Sequence, residues 1–291
     1  MSTLAYEIVD VFTDRPFTGN PLAVVYGADG LGSDQLRALA REFNLSETVF
    51  VLPAESGGSY RARIFTPEAE LPFAGHPSVG AAVTSVRRGL FAPGQLVQEC
   101  GAGELPIEVT ESGSATLTGG RPTLGPALAV APLLDLVGLA AADYAGADFA
   151  PAQAGCGLEF TFLPVRREAL AEAWVDPTAA EKLGVSQISV FAWDGASSTA
   201  YARVFCPGVS VPEDPATGSA ALGLGVWLTG AGRLTADGLS AYTVHQGLEM
   251  HRPSLLHCTV TAVAGVAVGA TVAGHVVPVA KGEIIVPPFV G

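Results

Sequence analysis

The chain has 291 residues, 49% hydrophobic and only 15% charged, which excludes a disordered polymer and leaves room for one large domain or two ordinary ones. Its formal charge of -13 and pI near 4.7, with no basic run longer than Arg87-Arg88, exclude nucleic acid and anionic membranes as natural partners. Cys100, Cys156, Cys206 and Cys258 form neither a CxxC nor a Cys/His pair at zinc spacing, so neither a structural metal nor a disulfide framework is expected. MSTLAYEIVDVF lacks a basic segment followed by a long apolar run, so no signal peptide is expected and the cytoplasm is the expected compartment.

In chain order, SDQLRALAREFN predicts a helix with Ser33 as its cap and Leu36, Leu39, Ala40 and Phe43 on one face. TVFVL and YRARIFTP read as strands, and a turn then leads into a helix, PSVGAAVTSVRR. GGRPTLGPA (119–127) reads as a linker. DPTAAEKLG predicts a helix capped by Asp176, with Pro177 at its first position and Gly184 as its stop. ISVFAW and TAYARVFCP are strands again, followed by the helical ATGSAALGLGVWLTG. Residues 258–280 carry no Asp, Glu, Lys or Arg, yet their alternation and glycines predict strands rather than a membrane span.

The chain repeats itself. ARIFTPEAELP (62–72) matches ARVFCPGVSVP (202–212) at an offset of 140, with Ala62, Arg63, Phe65, Pro67 and Pro72 identical. LSETVFVL (45–52) faces VSQISVFA at the same offset, and HPSVGAA (76–82) faces DPATGSA (214–220) at 138. This predicts a tandem duplication with domains at 1–120 and 125–291, the C-terminal strand returning to the first. The helices expected at 77–88 and 216–229 have almost no polar face, so each needs enclosure by protein. The expected architecture is α+β: a barrel-like mixed or antiparallel sheet around a buried central helix, made twice, with a cleft between the copies.

Both enclosed helices open with unusual turns, PFAGHPSVG and PEDPATGSA. A helix N-terminus offers unpaired N–H groups and partial positive charge, which suit a carboxylate. The offset of 138 makes His76 and Asp214 equivalent, so they read either as an acid/base or substrate-holding pair or as two helix caps. Glu47 stands at the mouth of an apolar strand, with Gln187 as its counterpart; it reads either as a single base or as an exposed strand-end carboxylate. Gly19-Asn20-Pro21 reads as a generic loop, and Glu68 and Glu70 as solvated. His245, His251, His257 and His275 show no metal-ligand spacing, and no dinucleotide fingerprint, Walker lysine or G-x-S-x-G elbow occurs.

VDVFTDRPFTGNPLAVV, NLSETVFVL, FTPEAELPFAGHPSVGAA, EDPATGSA and QGLEMHRPS occur in this order, and together they resemble the phenazine-biosynthesis PhzF-like family. That resemblance covers nearly the whole chain and implies the diaminopimelate-epimerase fold and a cofactor-free, metal-free isomerase acting on a small carboxylate. It implies that Glu47 of NLSET moves the proton, that His76 and Asp214 share the catalytic work, and that Ser219, with Gly75, Thr217 and Gly218 of the same turns, binds substrate. It further implies a homodimer. AGHPSV and GSAALG depart from the namesake's turns, which implies different substrate contacts. The same fold supports two-thiol racemases; aligning their turns puts Ala74 and Pro215 where cysteines are required, so epimerisation here would need a carboxylate and a histidine. A non-catalytic small-acid binder is the remaining alternative.

Overall fold

A computed structural model describes residues 2–146, 150–209 and 211–288. The chain divides into two compact units, 1–118 with 273–291, and 119–272. The first contains β1 (Thr3–Val11), β2 (Asn20–Tyr26), α1 (Ser33–Phe43), β3 (Thr48–Leu52), β4 (Tyr60–Phe65), β5 (Glu70–Leu71), α2 (Gly75–Arg87), β6 (Gly94–Cys100), β7 (Gly103–Val109) and β8 (Ser114–Thr118). The second contains β9 (Pro122–Ala127), α3 (Val130–Leu136), β10 (Ala152–Cys156), β11 (Glu159–Pro164), α4 (Pro177–Leu183), β12 (Ile188–Asp194) and β13 (Thr199–Cys206). It continues through β14 (Val211–Asp214), α5 (Gly218–Gly230), β15 (Gly238–Gln246) and β16 (Ser254–Val263); β17 (Val266–Ile285) begins there and ends in the first unit.

In the first unit β1, β2, β3, β4, β6, β7, β8 and β17 pair in turn, and β17 closes on β1, giving an eight-stranded closed barrel. Closure leaves no open edge, which an alternating apolar strand otherwise exposes. The α2 helix occupies the interior, buried from Gly75 through Ser85. The second unit repeats the strand sequence β10, β11, β12, β13, β15, β16, and α5 is buried from Gly218 through Thr229. Enclosure follows from composition: a run of Gly, Ala, Ser and Val has no face that water stabilises, and its small side chains let strands approach closely. Around α5, Trp227 stands edge-on to Phe191, with centroids 5.0 Å apart. The α+β architecture with a buried central helix is the one expected.

Strand register shows the duplication directly. Thr48↔Phe65 through Leu52↔Arg61 recurs as Ile188↔Phe205 through Ala192↔Tyr201, each residue 140 positions on. Beyond these strands the spacing changes: Ile64↔Leu71 recurs as Val204↔Asp214, and Gly75 and Gly218 open the two helices, an offset of 143. The short turn Pro207–Val209 holds the additional residues, and Ser210, inside the repeated stretch, lies outside the described residues. The same shift pairs Arg63 with Glu70 and Arg203 with Glu213, both as bidentate forks of 2.6–2.9 Å.

Three local expectations change. Residues 122–127 form β9 rather than a linker, with Pro122 as its first residue and Pro126 at the bulge in its pairing with β10. Gly32, not Ser33, caps α1: Gln35 reaches back to the Gly32 N–H, and Ser33 Oγ accepts from Arg63. Glu70 is clamped by Arg63 rather than merely solvated. Asp176, Pro177 and Gly184 take their expected places around α4. The uncharged run 258–280 is divided once, at Ala264-Gly265, into β16 and β17, and no described helix is long and apolar enough to cross a membrane.

Candidate active site

In the first unit three elements deliver side chains to one point. Asn20, fully buried, opens β2; Ser46 and Glu47 immediately precede β3, which pairs in parallel with β2; His76 is the second residue of α2. Ser46 Oγ donates to Asn20 Oδ1 at 3.3 Å, which turns the Asn20 amide nitrogen toward His76 Nδ1, 3.2 Å away. Nδ1 is therefore the acceptor and the ring proton sits on Nε2, which faces Glu47 Oε2 at 3.5 Å. His76 is 4% exposed and the Glu47 side chain 14%. Burial lowers the His76 pKa from 6.5 to about 3, so the ring beside the carboxylate is neutral. Asn20, which motif reading passed over as a loop signal, belongs to this buried cluster.

The start of α2 is rigidly held. Tyr60 donates to Gln98, Gln98 to Ser78, and Ser78 Oγ to the Ala74 carbonyl, in bonds of 2.8–3.0 Å. Pro77 has no N–H, and the first turn carries no acidic side chain. The N–H groups of Gly75 and His76 are thus oriented orphans of the helix end, suited to a carboxylate.

In the second unit Gln246, 1% exposed, organises the turn. Its Oε1 accepts from the Thr217 N–H at 3.1 Å, and its Nε2 donates to the Asp214 carbonyl at 2.6 Å and to Thr217 Oγ1 at 3.0 Å. The Thr217 hydroxyl donates to Asp214 Oδ2. Gln246 is followed by Gly247 at φ +75, where a Cβ would stand 2.4 Å from the Arg252 carbonyl oxygen and 2.6 Å from that of Pro215. Gly218 and Ser219 are the first two residues of α5.

This geometry corrects the pairing of the two turns. The helix caps are Ala74 and Thr217, so neither His76 nor Asp214 is a cap. By register His76 corresponds to Ser219, while Asp214 ends β14 at the position of Leu71. The three-residue lengthening of the second turn produces this difference. The structure brings Glu47 to His76, and Asp214 to Thr217 beside Gly218 and Ser219.

The pKa of His76 carries a sign. Between pH 6.5 and about 3 the unfolded chain binds a proton that folded His76 refuses, so this term of stability is complete above 6.5 and is lost as pH falls. Wild type is expected to lose about 1.4 kcal/mol per pH unit more than His76→Asn across that window. Urea titrations at pH 4, 5, 6 and 7 measure it, and equal slopes in both proteins would refute a buried neutral ring.

The family model described as phenazine biosynthesis-like protein (PhzC-PhzF) matches residues 9–282. An uncharacterised isomerase of Mesorhizobium japonicum is 35% identical, covering 98% of this chain and 100% of that one. The trans-2,3-dihydro-3-hydroxyanthranilate isomerase of Pseudomonas fluorescens is 33% identical, covering 96% and 99%. The crystal structure of a Bacillus anthracis phenazine biosynthesis protein of the PhzF family superposes with TM-score 0.87 at 26% identity, covering 98% of this chain and 100% of that one.

Proposed function

Because the chain belongs to the phenazine biosynthesis-like PhzF family and is an isomerase of that kind, we propose that it moves a proton on a small amino- or hydroxy-carboxylic acid by carboxylate acid/base chemistry, without metal or organic cofactor. The carrying observation is Glu47 Oε2 at 3.5 Å from the Nε2–H of a buried, neutral His76. Glu47 removes the proton from one carbon and returns it to another; the His76 N–H steadies the carboxylate as it changes charge. In the first unit the N–H groups at the start of α2 supply donors suited to a carboxylate; in the second unit the start of α5 with the Ser219 hydroxyl does the same, and Asp214 with Thr217 supplies acceptors for an amine or hydroxyl. The active assembly in this reading is a homodimer.

The test is proton exchange. In heavy water the enzyme is expected to place deuterium on a carbon of its substrate, read by NMR, with trans-2,3-dihydro-3-hydroxyanthranilate tried first and small amino and hydroxy acids after it. Absence of exchange across that panel, with ligands still binding, would favour a non-catalytic binder instead. Enzyme treated with chelator and dialysed is expected to keep its full rate; recovery only on adding a metal or nucleotide would refute the cofactor-free reading. A thiol racemase is disfavoured by position: the two helix caps are Ala74 and Thr217, the latter replacing Pro215 as the residue to compare, and burial pushes the Cys258 thiol up to about 12.

A further inference from the structure

The second unit holds a cavity of about 540 Å³ at the C-terminal end of α5, and no part of the proposed chemistry uses it. Its lining includes Phe191, Trp193 and Trp227, together with Arg166, Arg167 and Arg233. Within this helix Trp227 stands nine positions after Gly218 and eight after Ser219, about 12–14 Å along the axis. The volume suits a small ligand. The lining also joins two features that a chain of this composition does not combine by default. Three of its 15 basic residues meet at one opening although the net charge is -13, and the surfaces beneath them are aromatic.

The polar groups are placed for an anion. Arg167 has no carboxylate partner among the described residues and stacks on Tyr201, its Cζ 3.0 Å from the ring centroid, which fixes the guanidinium without neutralising it. Asp143 holds Arg166 at 2.8 Å and offsets that charge. The last carbonyls of α5, which would repel an anion, are occupied by the N–H groups of Ala231, Gly232 and Arg233 at 2.9–3.0 Å.

We infer that this cavity is a second binding site, for an aromatic carboxylate whose ring lies against Trp193 and Trp227 and whose anionic head meets Arg167. Tryptophan fluorescence and titration calorimetry with 2-naphthoate test it on the full chain. Saturable binding of one ligand per chain is expected, weakened at least about tenfold in Arg167→Gln and Arg233→Gln and unchanged in Glu47→Gln. Circular dichroism confirms that each variant is folded. Loss of binding in Glu47→Gln would place the ligand in the catalytic site and overturn the inference. Equal binding of neutral 2-naphthol, full competition by inorganic phosphate at the same concentration, or no saturable binding would each overturn it as well.

Discussion

Replacement of Glu47 by glutamine is expected to slow proton exchange at least about a hundredfold while leaving substrate affinity within a few-fold. The amide keeps the size and the hydrogen-bonding reach of the carboxylate toward the His76 Nε2–H, 3.5 Å away, but cannot take a proton at working pH. The loss should therefore fall on kcat and not on KM. The substitution leaves Asn20, Ser46 and the barrel packing untouched, so thermal stability should shift little. Near-normal turnover in the glutamine variant would transfer the proton to another group and leave Glu47 as a structural neighbour.

The largest expected stability effect belongs to Gly247→Ala. Left-handed backbone costs a residue with a Cβ about 1–2 kcal/mol, and here the new methyl also meets two carbonyl oxygens at 2.4 and 2.6 Å. Backbone oxygens do not swing aside like the end of a side chain, so a loss of about 3 kcal/mol or more is expected. Gly89→Ala is the control: its φ is also +75, yet open space surrounds the added carbon. If urea midpoints of the two variants fall equally, the crowding at Pro215 and Arg252 is not real. Because Gly247 follows Gln246, which holds Asp214 and Thr217, the alanine variant should also bind substrate more weakly.

The duplicated framework was legible because strand pairs repeat both their spacing and their apolar content, as Arg63 and Arg203 with Phe65 and Phe205 show. The enclosed helices were legible for a different reason, since no arrangement of Ala, Gly and Val makes a water-facing stripe. Register across the second turn was not, because Pro77 matches Pro215 at an offset of 138, whereas strand pairing makes Pro72 the equivalent of Pro215. That false anchor made His76 and Asp214 look equivalent. Glu70 and Glu213 gave no signal of their bidentate partners, since an acidic residue beside a strand end looks the same whether clamped or solvated. Asn20 was hidden because its role exists only once β2 and α2 are brought together, 56 positions apart in the chain. Motifs named Glu47, His76, Asp214 and Ser219 as candidates, while which of them lie together and how they hydrogen-bond needed coordinates.

The pairing of β1 with the last strand bears on how the protein is made. Thr3 through Val11 find their partners at Ile285 back to Val276, so the first barrel cannot close until the ribosome has delivered the far end of the chain. The unit spanning 119–272 is continuous in sequence and can condense while synthesis proceeds. The amino-terminal strands must therefore wait, exposing β1 and β2, whose buried faces carry Val9, Val11, Leu22, Val24 and Val25. That nascent interval, rather than the finished fold, is when the protein most depends on chaperone cover.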